Sequence, residues 1–245
     1  MKKWYRVLSF LLSLLICFLI VLYEVKRSDP TAEYTTDDPF IRGIVKLYAP
    51  AVFRLLGCKI HVRGAELMPT QGRFLLVSNH LQDLDPGVIL ASFPDTQLGF
   101  IAKKEVLQMP ILNRLMPRLL CQFVNRENDR EALKTILKCI SILKEDQASI
   151  AVFPEGRIAG DSLMHHYRPG VFKIAQKAEV PIVVCTLKNT KVVVKNLMKW
   201  KRSDVEMKIL DVIPAAELKG VTTVDIAQRC YEMMAEDLGP DLVAK

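Results

Sequence analysis

A chain of 245 residues is long enough for one catalytic-sized domain with an appendage and too short for two such domains. Its net charge of +7 points to an anionic partner: a phospholipid surface, a phosphorylated substrate or an acidic carrier. No nucleic-acid-binding motif accompanies the charge, and the six cysteines, scattered without the short paired spacings of zinc or redox sites, read as reduced thiols packed as small hydrophobes.

The appendage comes first. After Lys2, Lys3 and Arg6, the stretch VLSFLLSLLICFLIVLY (7–23) runs seventeen residues without a charge. As a helix it is about 25 Å long, slightly short of a bilayer core of roughly 30 Å. No small-x-small cleavage pattern follows, which argues against a removable signal peptide. Trp4, Tyr5 and Tyr23 sit where interfacial aromatics belong. Basic residues balance across the segment, so charge does not orient it. Next, PFIRGIVKLYAPAVFRLLG (39–57) sets Arg42, Lys46 and Arg54 among apolar residues and is interrupted by Pro50. That pattern predicts an amphipathic helix pair lying in the membrane interface; a core helix of the following domain is the alternative. The expected organisation is a membrane-associated helical hairpin over 1–57 and an α/β domain over 58–245, a mostly parallel or mixed sheet flanked by helices.

Within that domain the apolar runs KIHVRG, RFLLVSN, LGFIAK, CQFVNR, SIAVFP, PIVVCTL and VEMKILDVI predict seven strands. Helices alternate with them. One starts after Asn128, with Glu131 completing a capping box and Leu133, Ile136, Leu137, Ile140 and Leu143 marking its apolar face. Another starts after Thr222, with Ile226, Cys230 and Met233 as its stripe.

Two strand ends carry chemistry. The first, SNHLQDLDPG (78–87), places His80 between a strand and a helix opened by Pro86, which makes Asp85 the expected N-cap. On a regular helix His80 would neighbour Asp83; Pro86 favours a loop turning back on itself, so Asp85 is the expected partner. A histidine held on one ring nitrogen by a buried carboxylate keeps the other free as a base. No Ser or Cys stands at nucleophile-elbow spacing, so the proton removed belongs to a substrate hydroxyl. The plain alternative is a loop histidine bonded to a backbone carbonyl. The second end, SIAVFPEGRIAG (149–160), offers Gly156 for a tight turn and the planar fork of Arg157 for phosphate oxygens; the alternative is an ordinary surface turn.

These stretches carry a resemblance. NHLQDLD resembles the Asn-His-x4-Asp motif of the glycerolipid acyltransferases, the lysophosphatidic-acid acyltransferase superfamily. VFPEGR is similar to its Phe-Pro-Glu-Gly motif and VPIVV to its fourth block. Between them, FIAKKEVLQMPILNRLMPRLLCQFVNREN resembles its second block, so the resemblance covers about 73–190. It implies transfer of a fatty acyl group from acyl-CoA or an acyl-acyl carrier protein to the hydroxyl of 1-acyl-glycerol-3-phosphate at a bilayer surface. His80 is then the general base and Asp85 its orienting partner. Glu155, Gly156 and Arg157 bind the glycerophosphate end, and Arg126 and Lys104 are further phosphate contacts. No metal and no cofactor beyond the thioester co-substrate is implied, and the catalytic domain faces the cytoplasm, where the donors are.

One departure stands out. The common family form reads Phe-Pro-Glu-Gly-Thr-Arg, whereas here Arg157 follows Gly156 directly and Ile158 comes next. The same form resembles enzymes that reacylate lysophosphatidylethanolamine, which keeps another lysophospholipid acceptor open. Rival classes are a metal-dependent hydrolase using His80 with Asp83 or Asp85, and a non-catalytic lipid-binding protein. His165 and His166 read as loop residues, since adjacent side chains diverge. Lys173 reads as solvated or substrate-facing. The basic run 188–204 reads as a solvated loop or as a surface for anionic lipid or an acidic carrier protein.

Overall fold

A computed structural model describes residues 34–109, 112–125, 128–161, 163–197, 199 and 201–244, with residues 12, 15, 18, 19, 22, 23 and 26 ahead of them. Most of 1–33 lies outside the described residues, and with it the first half of the expected hairpin. Among the described residues no helix is long and apolar enough to cross a membrane.

All seven expected strands form, and they make one sheet. They are β1 (Cys58–Arg63), β2 (Leu75–Ser78), β3 (Leu98–Lys103), β4 (Gln122–Val124), β5 (Ser149–Val152), β6 (Ile182–Lys188) and β7 (Ser203–Ile213). The order is β1-β7-β6-β2-β5-β3-β4. Every pair is parallel except β6 with β7, so the sheet is mixed. The central strands β2 and β5 are buried at every residue. This is why they read as unbroken apolar runs rather than alternating ones.

Helices cover both faces. On one side lie α1 (Pro39–Leu55) and α2 (Asp85–Ser92), where Ile41, Phe53, Val88 and Ile89 pack with Leu76 and Val183. A short helix, α3 (Leu112–Arg118), leads into β4. On the other side lie α4 (Asp129–Lys144), α5 (Lys173–Ala178) and α7 (Thr223–Leu238), while α6 (Lys191–Leu197), which connects β6 to β7, packs Val193 into the first cluster. Phe172, fully buried among Cys139, Ile174 and Met234, centres that second core; burying such a ring contributes about 2–3 kcal/mol. Burial also pushes the thiols of Cys58 and Cys121 up to about 11, and those of Cys185 and Cys230 up to about 12.

Several local expectations need correction. Residues 39–55 form one continuous helix through Pro50, not a pair. It is tied to the domain: Asp38 caps it and pairs with Arg118 at 2.7 Å, and Arg42 bonds Asp37 and the Leu98 carbonyl. Its other face leaves Phe40, Leu47, Val52 and Leu55 exposed.

In α4 the Asn128 side chain caps as expected, but Glu131 reaches out to Lys104 at 3.1 Å. The buried stripe is Thr135, Cys139, Ile142 and Leu143, while Leu133 and Leu137 are more than half exposed. Overlapping i, i+3 and i, i+4 series of apolar residues define two candidate faces, and packing chose the one containing Thr135. That hydroxyl finds the Phe123 carbonyl at 2.7 Å. In α7 the same effect moves the stripe from Met233 to Met234.

Finally, Asp85 does not cap α2. It is the first residue of that helix, and its carboxylate turns back into the preceding loop.

Candidate active site

The buried run of β2 delivers Asn79 and His80 to the C-terminal end of the sheet, where loops of α/β proteins gather ligands. Asn79 is fully buried. Its side chain receives the Leu187 N–H at 2.7 Å and donates to the Leu187 carbonyl at 3.0 Å, so β2 is clamped to β6 just where its ladder stops. The chain then turns, and His80 is fixed from three directions.

The first is Asp85. Its Oδ2 lies 2.8 Å from His80 Nδ1 and also accepts the N–H groups of Leu81 at 2.6 Å and Gln82 at 2.8 Å. A carboxylate oxygen facing these donors has no proton to give, so Nδ1 carries the hydrogen and Nε2 is left as an acceptor. Asp85 has no solvent exposure, and its Oδ1 has no hydrogen-bond partner among the described residues. The second is Phe153, whose ring stacks on the imidazole at 4.0 Å and 15°. Phe100 lies behind it at 6.4 Å. The third is Glu155, whose Oε1 takes the His80 backbone N–H at 2.7 Å.

Glu155 belongs to the second loop. After β5 the chain turns at Phe153–Gly156, closed by the Gly156 N–H on the Phe153 carbonyl at 2.9 Å, with Gly156 at φ +73°. Glu155 is 5% exposed, and its Oε2 holds the His165 N–H at 2.9 Å. Burial pushes its carboxyl up to about 7, against the lowering effect of those two N–H groups. One side chain thus ties both loops together, and it points inward rather than towards solvent.

The cations sit outside it. Arg157 is exposed and has no side-chain partner among the described residues. The Arg168 guanidinium lies over Gly156, where an added Cβ would stand 3.0 Å from its Nε. Lys104 is held by Glu131. Arg126 lies outside the described residues.

The remaining candidates fall apart from this group. His165 bonds Asp161 at 2.9 Å while His166 stacks on Tyr231, so the adjacent histidines do diverge. Lys173 is exposed on α5. Among the described residues, no three His, Cys, Asp or Glu side chains group as metal ligands would.

Sequence reasoning assigned no role to Asn79, Phe153 or Arg168. The first two stand inside the quoted motifs, where strand-end position was the available signal. Arg168 had none, because a turn fifteen residues upstream brings it in.

An imidazole held this way is equipped to act as a general base towards a hydroxyl. Residues 59–188, more than half of the chain, match the sequence model of the Acyltransferase family, and the chain belongs to that family. It is similar to the 1-acyl-sn-glycerol-3-phosphate acyltransferase of Haemophilus influenzae, 28% identical over 224 residues, covering 90% of this chain and 88% of that one. It is also similar to the Borreliella burgdorferi protein of the same name, 32% identical over 138 residues, 56% of this chain and 54% of that one. In fold it resembles the crystal structure of the 1-acyl-sn-glycerophosphate (LPA) acyltransferase from Thermotoga maritima. That likeness has a TM-score of 0.68 over 97% of this chain and 96% of the other, at 22% identity.

Proposed function

We propose that this chain acylates the free hydroxyl of 1-acyl-glycerol-3-phosphate, giving phosphatidic acid, with acyl-CoA or an acyl-acyl carrier protein as donor. The observation that carries the reading is the 2.8 Å contact from His80 Nδ1 to Asp85 Oδ2, which leaves Nε2 as the acceptor. The hydroxyl oxygen attacks the thioester carbonyl carbon as Nε2 takes its proton. A new C–O bond forms, the tetrahedral intermediate expels the thiolate, and the imidazolium returns the proton to sulfur. Asp85 keeps the ring in the required tautomer and stabilises its charged form. Phe153, backed by the buried Phe100, makes one wall of the site apolar, as an acyl chain requires.

Arg157 and Arg168 offer charge-assisted hydrogen bonds to the acceptor phosphate, with Lys104 and Arg126 proposed as further contacts. Glu155 shapes the site by joining its two loops. The names of the relatives support the choice of acceptor. The displacement of Arg157 by one position favours a second reading, a different lysophospholipid acceptor. The charge-free stretch 7–23 and the exposed apolar face of α1 support membrane attachment as part of this proposal, with the catalytic domain on the cytoplasmic side, where thioester donors are made.

The test offers purified protein a panel of lysolipids with both donors, alongside His80→Ala. Phosphatidic acid formed from lysophosphatidic acid by the wild type only supports the proposal. Equal activity in the variant, or turnover of another lysolipid alone, overturns it.

A further inference from the structure

We propose that a cleft between α1, α2 and the first residues of β1 and β7 binds the phosphate at the far end of the donor's pantetheine arm. The inference rests on the acyl-transfer reading above and adds a donor site to it. The cleft encloses about 550 Å³ and is lined by Arg54, Lys59, Ala91, Arg202, Ser203 and Asp204, among others. That volume lies within the usual range of small-molecule sites and exceeds what one phosphate needs.

Two independent features mark it for an oxyanion. Arg54, Lys59 and Arg202 are all exposed, and none pairs with a carboxylate among the described residues. The nearby acid is engaged elsewhere, since Asp204 holds His61 Nε2 at 2.7 Å. Ser203 is only 2% exposed, yet its Oγ has no hydrogen-bond partner among the described residues. A buried hydroxyl left unmatched is unfavourable, and Ser203 is one of the residues that line this cleft. The backbone holds these groups in place. Gly57, at φ +68°, accepts the Ser203 N–H at 3.0 Å, and the Arg202 side chain passes over it. At the C-terminal end of α1, the N–H groups of Leu56 and Gly57 satisfy the carbonyls of Val52 and Arg54.

The position relative to His80 selects the ligand. Ala91 lies on α2, the helix that begins with Asp85, about 9 Å further along its axis. Phe53, next to Arg54, lies against Gly87 of the same helix, where an added Cβ would meet its ring at 3.3 Å. The pantetheine arm between thioester sulfur and phosphate is about as long as four extended residues, roughly 14 Å. A thioester at His80 Nε2 can therefore place its phosphate in the cleft. Both donor types carry that phosphate, one within a nucleotide diphosphate and the other as a protein phosphodiester.

The experiment compares acyl-4′-phosphopantetheine with acyl-pantetheine, which differ only in the phosphate, on the full chain in detergent micelles. The wild type is expected to show a KM at least tenfold lower for the phosphorylated donor. In Lys59→Ala/Arg202→Ala that ratio should fall below twofold, while the acceptor KM moves less than twofold. Arg202→Lys should keep part of the preference, and Ser203→Ala should reduce it severalfold. Thermal melting of each variant checks that it is folded. A wild type that does not distinguish the two donors, or a double variant that keeps the preference, overturns the proposal. So does a double variant that keeps it but no longer sediments with phosphatidylglycerol vesicles, which would assign the cations to lipid headgroups. Free acyl-CoA and acyl-carrier protein, run as further arms, show which donor the cleft serves. If the wild type transfers no acyl group to any lysolipid, the functional reading fails. Calorimetric binding of 4′-phosphopantetheine, present or absent, then decides the cleft by itself.

Discussion

A single oxygen of Asp85 holds both the ring of His80 and the start of the turn that follows it: Oδ2 meets His80 Nδ1 at 2.8 Å and the N–H groups of Leu81 and Gln82 at 2.6 and 2.8 Å. Loop shape and tautomer are therefore set by the same atom. In Asp85→Asn a neutral amide must serve all three donors, and one of its two positions carries hydrogens. We expect kcat to fall about 100-fold or more and His80→Ala to lose roughly 10²–10⁴-fold, with the acceptor KM within about threefold in both. Steady-state kinetics decide this; an unchanged kcat in Asp85→Asn would remove the carboxylate from the mechanism.

Phe153 covers one face of the imidazole at 4.0 Å. Stacked pairs of this kind are worth about 0.5–1.5 kcal/mol beyond burial, and losing that restraint lets the ring swing. Phe153→Leu should keep the fold and lower kcat roughly three- to tenfold, whereas Phe153→Tyr should stay near wild type. Equal kinetics for all three would show that Asp85 alone sets the ring.

Glu155 gives a stability signature. Its carboxyl, pushed up to about 7 by burial, binds its proton more tightly in the folded chain than in the unfolded one, where the value is near 4.5. Its favourable contribution is therefore complete below about pH 4.5 and is lost as pH rises to about 7, a change of about 3 kcal/mol. Glu155→Gln places an amide NH2 against a backbone N–H and should destabilise at low pH. The gap between wild type and variant should then shrink by about 3 kcal/mol between pH 4.5 and 8. Chemical denaturation across that range reads it, and a constant gap contradicts the inward, protonatable carboxyl.

In the proposed function, the two arginines at the Gly156 turn divide the acceptor contact. Arg157 is unpaired among the described residues and Arg168 lies over the glycine. Each charge-assisted contact is worth about 1.5–3 kcal/mol, so either alanine variant should raise the acceptor KM by about tenfold or more and leave kcat within threefold. If only Arg168→Ala does so, the arginine that follows the motif directly is not the phosphate ligand.

Much of this was legible in the sequence because strands buried on both faces must be apolar throughout, so seven runs gave seven strands. The His80–Asp85 pairing was legible too, since Pro86 favoured a loop over the helical geometry that would have brought Asp83 to the ring. What the chain could not announce was set by packing. The register of α4 turned on Thr135 finding a carbonyl. The reversal of β7 against β6 leaves no local mark, because strand direction depends on the connection. Asn79 clamps β2 to a strand over a hundred residues away, and no spacing rule reaches that far. The N-cap expectation for Asp85 failed because three donors upstream outcompeted the helix end.

The shared grip of Glu155 on the backbones of His80 and His165 has a bearing on re-engineering. A segment such as 153–168, transplanted from a relative to change which lipid is accepted, would bring its own spacing between the acid and its two amides. A graft that shifts that carboxylate by even an ångström would drag the imidazole with it. Successful chimeras will need to exchange both strand-end loops as one cassette.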